Sequence, residues 1–246
     1  MQKILAYPLT IIYIIFFGLC LVIFHPIQWY CLSVFGYQAH KKSVDILNLC
    51  LVRCLHILGT RFQFKKPKHL PKGVPVIIVA NHQSMYDIPP LIWFLRQHHV
   101  KFVSKKELGK GIPSVSFNLR HGGSVLIDRK DAKQALSAIA SMANYIETHN
   151  RAVVIFPEGT RSRTGQPKPF QTRGLKTLIE NAPSAYIFPV SINNSWKTLR
   201  YGKFPMGLGA NIKFKVHQPI KVSEFEDVDA LISEVETIVT EAVDNA

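Results

Sequence analysis

The chain has 246 residues, of which 47% are hydrophobic, so it can bury a substantial core, and its length indicates one domain with an appendage rather than several domains. The formal net charge is +14, but residues 1–223 hold all 30 Lys and Arg and only eight of the 16 acids, which leaves that part at +22. So basic a body is typical of a protein that binds polyanions, either nucleic acid or a phosphate-bearing membrane surface.

The N-terminus predicts a membrane anchor. From Ile4 to His40 the chain contains no Asp, Glu, Lys or Arg. Residues 4–24 are almost wholly apolar and, as a helix, are long enough to cross roughly 30 Å of hydrocarbon. A cleaved signal peptide is the alternative for such a run, but no small-residue cleavage site ends it. Aromatic residues continue beyond it, as in the interfacial belt of membrane proteins.

A second apolar stretch follows at residues 44–59 and is interrupted by Arg53 and His56. These two residues favour an amphipathic or interfacial helix over a second clean span. We therefore expect residues 1–60 to form an anchor of two helices, either spanning the bilayer or lying as a hairpin in one leaflet. Lys and Arg follow closely, so the positive-inside rule predicts that the globular part faces the cytoplasm at the cell membrane.

With this anchor, anionic lipid headgroups or phosphate-bearing substrates explain the basic charge better than nucleic acid does, and we expect no nucleic-acid partner. The anchor also contains all four cysteines of the chain. Cys50 and Cys54 are one helical turn apart, a spacing that suits a metal, but no second pair of soft ligands is nearby. We therefore predict no metal site.

The remaining chain predicts an α/β body. Residues 61–73 contain five Lys or Arg and two Pro and are interpreted as a basic joint. Beyond them, strand-like and helix-like segments alternate over residues 74–246. The continuous apolar runs at 74–80 and 152–156 indicate strands that are buried on both faces. This alternation predicts a mostly parallel sheet flanked by helices.

Two helices have clear signals. Asp131 begins one, with Gln134 three residues later as in a capping box. The acidic C-terminal segment has apolar side chains along one face between residues 228 and 242, which indicates an amphipathic helix packed on the body. Further strands are expected at 101–104, 124–127, 187–192 and 211–216, and further helical segments at 88–95, 107–119 and 174–181.

The first strand of the body is followed by Asn81-His82-Gln83-Ser84-Met85-Tyr86-Asp87. Positions five apart on one helix are about 140° out of phase, so His82 and Asp87 meet only if His82 ends the strand and Asp87 begins the next helix. Pro89 and Pro90 lack the N–H groups that a capping Asp accepts from, which would leave the carboxylate for the imidazole. An Asp-oriented His is a general base; the alternative is that both residues only cap their elements.

Ser84 lies between the pair and raises the possibility of a Ser-His-Asp hydrolase. Its flanks lack the Gly-x-Ser-x-Gly sequence that exposes a nucleophilic serine at a strand-to-helix turn. We therefore favour a His-Asp base without a serine nucleophile.

Later segments place cations at the ends of other strands. In Phe156-Pro157-Glu158-Gly159-Thr160-Arg161-Ser162, the turn lies at the carboxyl edge of the sheet, where open α/β sheets bind ligands. Arg161 offers a bidentate fork for phosphate, and Glu158 can accept from a polyol hydroxyl. Arg129 leaves a neighbouring strand and Lys105 another, so both add positive charge there. The alternative for each cation is a solvated surface residue.

In this order the motifs resemble those of the PlsC-type glycerolipid acyltransferases, specifically the 1-acylglycerol-3-phosphate (lysophosphatidate) acyltransferases. The Asn-His-x4-Asp block of that family corresponds to Asn81 to Asp87, and its Gly-x4-Asp-Arg block to Gly123 to Arg129. Its third block corresponds to Phe156 to Ser162, and its late Pro-containing strand to Phe188-Pro189-Val190. The resemblance covers about residues 70–193, and the N-terminal anchor fits the same family.

The resemblance implies transfer of a fatty acyl group from acyl-CoA or acyl carrier protein to the 2-hydroxyl of lysophosphatidate, which gives phosphatidate in phospholipid biosynthesis. It implies no cofactor beyond the acyl donor. His82 would remove the hydroxyl proton and Asp87 would orient His82, which makes residues 74–246 the catalytic domain. The substrate-binding residues that the resemblance implies are Arg129, Glu158, Gly159 and Arg161. With Lys105 and Thr160, which lie at the same strand ends, they form the predicted binding set.

One segment departs from the family pattern, and three other functions remain open. After the third block a Lys-x-Gly-like turn is expected, but the sequence has Gln171-Thr172-Arg173-Gly174, where Arg173 would keep the cation. The acceptor could be another hydroxyl lipid, such as glycerol 3-phosphate or a lyso-aminolipid. The protein could instead be a membrane hydrolase of thioesters or esters, or a basic lipid-binding protein without enzymatic activity.

Overall fold

The structure is a computed structural model that describes residues 2–243. Its first element, α1 (Gln2–Leu55), is a helical hairpin rather than one straight helix. Gly36 has φ 75° and ψ −164°, a backbone conformation essentially confined to Gly, and the chain reverses there. The first arm (residues 2–35) and the second arm (37–55) lie side by side, with the Sγ atoms of Cys20 and Cys54 3.8 Å apart. The expectation of two N-terminal helices is confirmed.

The first arm lies along the body of the protein. The backbone N–H of Met206 donates to Thr10 Oγ1 at 2.9 Å, and the backbone N–H of Ser114 donates to His25 Nδ1 at 3.0 Å. These two anchoring points are about 22 Å apart along the helix. The rest of the arm is not covered by the body. The first arm carries 16 of the 20 large hydrophobic side chains that the structure exposes. Within residues 2–243, α1 is the one helix long and apolar enough to cross a membrane.

The body is built on one eight-stranded sheet. Its strands are β1 (Arg61–Lys65), β2 (Val76–Ala80), β3 (Lys101–Lys105), β4 (Val125–Ile127), β5 (Ala152–Ile155), β6 (Tyr186–Asn193), β7 (Asn211–Val216) and β8 (Ile220–Lys221). The order is β1-β7-β6-β2-β5-β3-β4, with β8 paired to β6. β6 is antiparallel to β7 and β8, and every other pairing is parallel. The predicted α/β class with a mostly parallel sheet is confirmed.

Helices cover both faces of this sheet. They are α2 (Ile88–Phe94), α3 (Val115–His121), α4 (Ala132–His149), α5 (Thr172–Glu180) and α6 (Val228–Glu241). In β2, Ile77 and Val79 pack into a core with α4, α5 and α6, whereas Val76 and Ile78 pack on the other face with α2. Alternate side chains of a strand point to opposite faces, so a strand covered on both sides must be apolar at every position.

The predicted joint at residues 61–73 is wrong at its start, because residues 61–65 form strand β1 in parallel register with β7. β1 is an edge strand: Phe62 and Phe64 are half-buried, while the polar residues between them are exposed. Such a strand alternates instead of forming a continuous apolar run, and its Arg, Gln and Lys resemble a linker. The sheet therefore begins at Arg61 rather than at Val74.

Candidate active site

The candidate residues gather at one edge of the sheet. His82 lies two residues after β2, Lys105 ends β3, Arg129 lies two residues after β4, and Phe156 directly follows β5. These four strands are adjacent and parallel. Their carboxyl ends therefore meet at the same edge, which is where open α/β sheets bind ligands.

His82 and Asp87 form a hydrogen-bonded pair at this edge. The Nδ1 atom of His82 lies 2.8 Å from Oδ2 of Asp87, and the Asp87 side chain is fully buried. The same oxygen accepts the backbone N–H groups of Gln83 at 2.8 Å and Ser84 at 2.9 Å. Because a carboxylate only accepts, this network assigns the imidazole proton to Nδ1. Nε2 is thus the basic atom, on a side chain that is 15% exposed.

The turn that carries Asp87 matches the sequence prediction only in part. α2 begins at Ile88 as expected, and Asp87 makes no side-chain cap to it. A 3-10 turn, Met85–Asp87, comes first, and its cap is Ser84, whose Oγ accepts from the backbone N–H of Tyr86 at 3.3 Å. This turn folds the N–H groups of residues 83 and 84 back onto the carboxylate. Asp87 therefore has local partners that the sequence analysis did not foresee.

Ser84 is not placed as a nucleophile. Its side chain is fully buried, and Oγ lies 3.3 Å from Oγ1 of Thr198. Within residues 2–243, no hydrogen bond joins Ser84 to the imidazole of His82. The geometry gives no support to a Ser-His-Asp hydrolase, in which the serine hydroxyl must reach the base.

The loop after β5 holds His82 by its ring and by its backbone. The ring of Phe156 stacks on the imidazole, with centroids 4.0 Å apart and planes at 18°. The backbone N–H of His82 donates to Glu158 Oε1 at 2.8 Å, and its carbonyl accepts the N–H of Ser162 at 2.7 Å. This role of Phe156 was not predicted from the sequence, although Phe156 is the first residue of the third motif. Together these contacts fix the imidazole in one orientation.

Glu158 lies beneath the site rather than at its surface. Its side chain is buried, and Oε2 accepts the backbone N–H of Lys168 at 3.1 Å in addition to the bond from His82 to Oε1. Burial raises the pKa of the Glu158 carboxyl to about 7, although the two N–H donors oppose that shift. The observed contacts of Glu158 support the loop, and its expected contact with a substrate hydroxyl stays a prediction.

Arg129 reaches the loop that carries Arg161. Arg129 donates through Nη1 to the carbonyl of Gly159. Burial lowers the pKa of the Arg129 guanidinium; the negative charge of Glu107 opposes that shift, and the positive charge of Arg161 adds to it. Gly159 has φ +69°, and a Cβ there would meet the Gln171 side chain at 2.9 Å. Gly159 therefore allows both the turn and the close approach of Gln171, which lies in the segment that departs from the family pattern.

The rest of the predicted binding set surrounds these arginines. The Lys105 side chain is exposed and, within residues 2–243, makes no hydrogen bond or ion pair, whereas the adjacent Lys106 pairs with Asp128 at 2.9 Å. Exposed Thr160 and Arg161 help to line an open depression of about 540 Å³. A surface with unpaired cations beside the His82–Asp87 pair suits a ligand that bears a phosphate.

The first and fourth motifs are joined by Asn81. Its side-chain amide donates to the carbonyl of Ile192 at 2.9 Å, and its Oδ1 accepts the N–H of Ile192 at 2.7 Å. These two hydrogen bonds continue the pairing of β2 with β6 one residue beyond Ala80, the last residue of β2. Asn81 therefore fixes where the chain leaves the sheet toward His82.

Comparisons with known proteins add to this geometry. Residues 61–193 match the model of the acyltransferase family. The 1-acyl-sn-glycerol-3-phosphate acyltransferase alpha of Ovis aries is 31% identical over 139 residues, which are 56% of this chain and 48% of the sheep protein. This chain thus spans about half the length of that relative. The 1-acyl-sn-glycerol-3-phosphate acyltransferase of Salmonella typhimurium is 27% identical over 221 residues, 90% of this chain and 85% of that protein.

The fold also matches a solved structure. The crystal structure of the 1-acyl-sn-glycerophosphate (LPA) acyltransferase PlsC from Thermotoga maritima superposes with a TM-score of 0.79 and 24% sequence identity. The match covers 99% of this chain and 96% of the other, so it includes the N-terminal hairpin as well as the sheet.

Proposed function

This chain belongs to the acyltransferase family, and from that premise we propose that it transfers a fatty acyl group from an acyl thioester to the 2-hydroxyl of 1-acylglycerol-3-phosphate. The product is phosphatidate, for phospholipid biosynthesis. The observation that carries the proposal is the His82–Asp87 pair, 2.8 Å between Nδ1 and Oδ2, at the edge of the sheet where Arg129 contacts the loop that carries Arg161. The sheep and Salmonella relatives are named for the same acceptor, which supports this proposal.

In this reaction His82 is the general base. Its Nε2 takes the proton of the 2-hydroxyl as the oxygen attacks the thioester carbonyl carbon. Asp87 holds the Nδ1–H tautomer and stabilises the imidazolium that forms. The tetrahedral intermediate then expels the thiolate, which takes the proton from the imidazolium, so the enzyme returns to its starting state. A positioned base of this kind contributes about 10²- to 10⁴-fold to the rate.

The cations bind the acceptor phosphate. Arg161 and Arg129 offer planar forks to the phosphate oxygens, and Lys105 adds a third positive charge. Thr160 and Gly159 lie on the same turn and present a hydroxyl and backbone groups to the glycerol. A phosphomonoester bound there would hold its 2-hydroxyl near Nε2 of His82.

The acyl donor is acyl-CoA or acyl carrier protein. Both are acidic, and the net charge of +22 on residues 1–223 would attract either of them. The thioester supplies the activated acyl group, so the reaction needs no further cofactor.

The hairpin α1 would hold the enzyme on the cytoplasmic face of the cell membrane. The first arm contacts the body at two points, where Thr10 meets Met206 and where Leu21 meets Ser114. Contacts at both points favour an arm lying in one leaflet over one that crosses the bilayer. Met85, in the turn beside His82, is 44% exposed, and Phe204, whose ring meets Tyr7 of the first arm edge-on at 5.4 Å, is 50% exposed. These apolar side chains continue the lipid-facing surface to the site, so a lipid acceptor would reach His82 without leaving the membrane.

The test is acyl transfer by purified protein in liposomes with oleoyl-CoA and lysophosphatidate, with His82→Ala run beside the wild type and products separated by mass. We expect phosphatidate from the wild type and at least about 100-fold less from the variant. Circular dichroism must show that both proteins are folded.

Other products would change the assignment. Free fatty acid formed without consumption of the acceptor would indicate a hydrolase. Product with glycerol 3-phosphate or another lyso-lipid only would mean that the acceptor is wrong. Near-full activity of His82→Ala would contradict the mechanism.

A further inference from the structure

The first arm of α1 contacts the 3-10 turn that leads into Asp87 of the His82–Asp87 pair. Tyr86 lies in the 3-10 turn directly before Asp87 and is buried. Its ring meets the ring of Tyr13 edge-on, with centroids 6.1 Å apart, and the ring of Phe17 edge-on at 6.3 Å. Tyr13 and Phe17 also contact each other at 5.3 Å. Three aromatic rings therefore join α1 to the turn.

These contacts belong to the one face of the first arm that is turned toward the body. Ala6, Thr10 and Tyr13 are buried and Phe17 is half-buried, at the three- and four-residue spacing of a single helix face. Phe16, the preceding residue, points away from the body and is 52% exposed. Two adjacent phenylalanines thus have opposite surroundings.

Tyr86 is held from further directions. Its hydroxyl donates to Sδ of Met206 at 3.5 Å, and the backbone N–H of Met206 donates to Thr10 Oγ1 at 2.9 Å. The backbone N–H of Tyr86 donates to the cap oxygen of Ser84. The position of this side chain fixes the turn, and the turn brings the N–H groups of residues 83 and 84 to Asp87 Oδ2.

We propose that Tyr13 and Phe17 are positioning residues for catalysis: through Tyr86 they hold the turn in which Asp87 orients His82. This inference rests on the proposed function. It makes α1 a part of the catalytic machinery as well as an anchor, because the arm that carries the lipid-facing surface also sets the geometry of the base. Loosening this contact should lower the turnover number and leave substrate affinity intact, since neither ring lies among the arginines.

The first experiment compares Phe17→Ala with Phe16→Ala in the full chain, in liposomes. We expect Phe17→Ala to lower kcat by about 10- to 100-fold, the range that a small misplacement of a catalytic group produces, with KM for both substrates within about twofold. Phe16→Ala should keep kcat within about twofold. Because Phe16 lies on the exposed apolar face of the first arm, the rates are compared with each variant fully bound to the liposomes, as flotation shows. Equal kcat values for the two variants would overturn the proposal.

Conservative variants guard against a loss of folding. Tyr13→Phe keeps the ring that contacts Tyr86 and should retain kcat within about threefold, whereas Tyr13→Ala should lose it as Phe17→Ala does. If Phe17→Ala fails to fold, Phe17→Leu takes its place with a smaller expected loss in kcat. A Tyr13→Phe variant as impaired as Tyr13→Ala would contradict a role for the ring.

A double-mutant cycle separates positioning from general destabilisation. In an Asp87→Asn background the carboxylate that the turn orients is gone, so adding Phe17→Ala should lower the residual rate by no more than about twofold. If Phe17→Ala cost the same factor in both backgrounds, it would act independently of Asp87 and the proposal would fail.

A readout without substrate keeps this inference separable from the proposed function. Diethyl pyrocarbonate acylates accessible imidazoles, and mass spectrometry gives the rate at His82. We expect that rate to rise severalfold in Phe17→Ala and to stay unchanged in Phe16→Ala. A wild type that made no phosphatidate would refute the proposed function, whereas equal modification rates in the two variants would refute the positioning role.

Discussion

Glu158 shows how one buried side chain links the stability of the site to pH. It accepts two backbone N–H groups, one from His82 and one from Lys168, and so ties the third motif to the first. Burial nevertheless raises its pKa from the ordinary 4.5 to about 7. Between about pH 4.5 and pH 7 the folded protein therefore holds a proton that the unfolded chain has released.

It follows that the contribution of Glu158 to the free energy of unfolding falls as the pH rises through this window, with the loss complete above about pH 7. Glu158→Gln removes the titration. We therefore expect the difference in thermal midpoint between the variant and the wild type to shift in favour of the variant as the pH rises from 4.5 to 8. Glu234→Gln, on the exposed side of α6, is the control and should follow the wild type at every pH. Parallel curves for Glu158→Gln and wild type would show that this carboxyl does not titrate there.

Arg161 should act on affinity for the acceptor more than on turnover. A guanidinium that binds phosphate in ground state and transition state alike contributes uniform binding, so its loss raises KM. We expect Arg161→Ala to raise KM for lysophosphatidate at least about tenfold, as for a charge-assisted hydrogen bond, with kcat within a few-fold. Arg96, which is exposed and lies just before β3 at the opposite edge of the sheet, is the control and should change KM by less than about threefold. Equal effects would mean that general charge, and not a specific phosphate contact, attracts the acceptor.

At the scale of elements, the sequence predicted what depends on side-chain pattern and missed what depends on the path of the backbone. The strands β2 and β5 were predictable because burial on both faces demands continuous apolar runs, and α4 because Asp131 caps it through the N–H of Gln134 at 2.9 Å. β1 was missed because an edge strand alternates, and β8 because two residues carry no pattern.

The site shows the same division. The pairing of His82 with Asp87 was predictable because it needs only a strand end, a helix start and two residue types. The backbone N–H donors on Asp87 and the Arg129 bond to the Gly159 carbonyl were not predictable, because every residue type supplies those backbone groups. The contact of Phe17 with Tyr86 joins residues far apart in sequence, and nothing in an apolar helix marks which face meets the body.

The hairpin of α1 depends on one glycine. Gly36 has φ +75°, and a Cβ there would meet nothing within 4 Å, so Gly36→Ala is disfavoured by backbone conformation alone. We expect a loss of about 1–3 kcal/mol in the free energy of unfolding, measured in detergent. Gly18→Ala is the matched control: its Cβ would also meet nothing within 4 Å, but Gly18 lies within the helix, so alanine should be neutral or slightly stabilising. If both variants had the same stability, the reversal at residue 36 would not require glycine.

For the whole molecule, charge and apolar surface lie on different parts, and we expect them to make different contributions to membrane binding. The acidic helix α6 packs over the sheet with α4 and α5, and it contains no Lys or Arg. The remaining body is strongly basic, and the first arm provides the apolar surface. Electrostatic attraction acts over a Debye length and is screened by salt, whereas burial of apolar side chains in the bilayer is not. The two contributions are therefore separable by experiment.

Flotation with vesicles tests this division. We expect the full chain to bind neutral phosphatidylcholine vesicles through the first arm, and to bind more tightly when about 30% of the lipid is anionic. Raising the salt to about 0.5 M should remove the advantage of the anionic vesicles and leave binding to the neutral ones. Replacing Trp29 and Phe35, which are 57% and 64% exposed, by alanine should weaken binding to both vesicle types at every salt concentration. Binding to neutral vesicles that vanished in salt, or that the double variant kept in full, would mean that the first arm does not enter the bilayer, and the apolar face of α1 would need another partner.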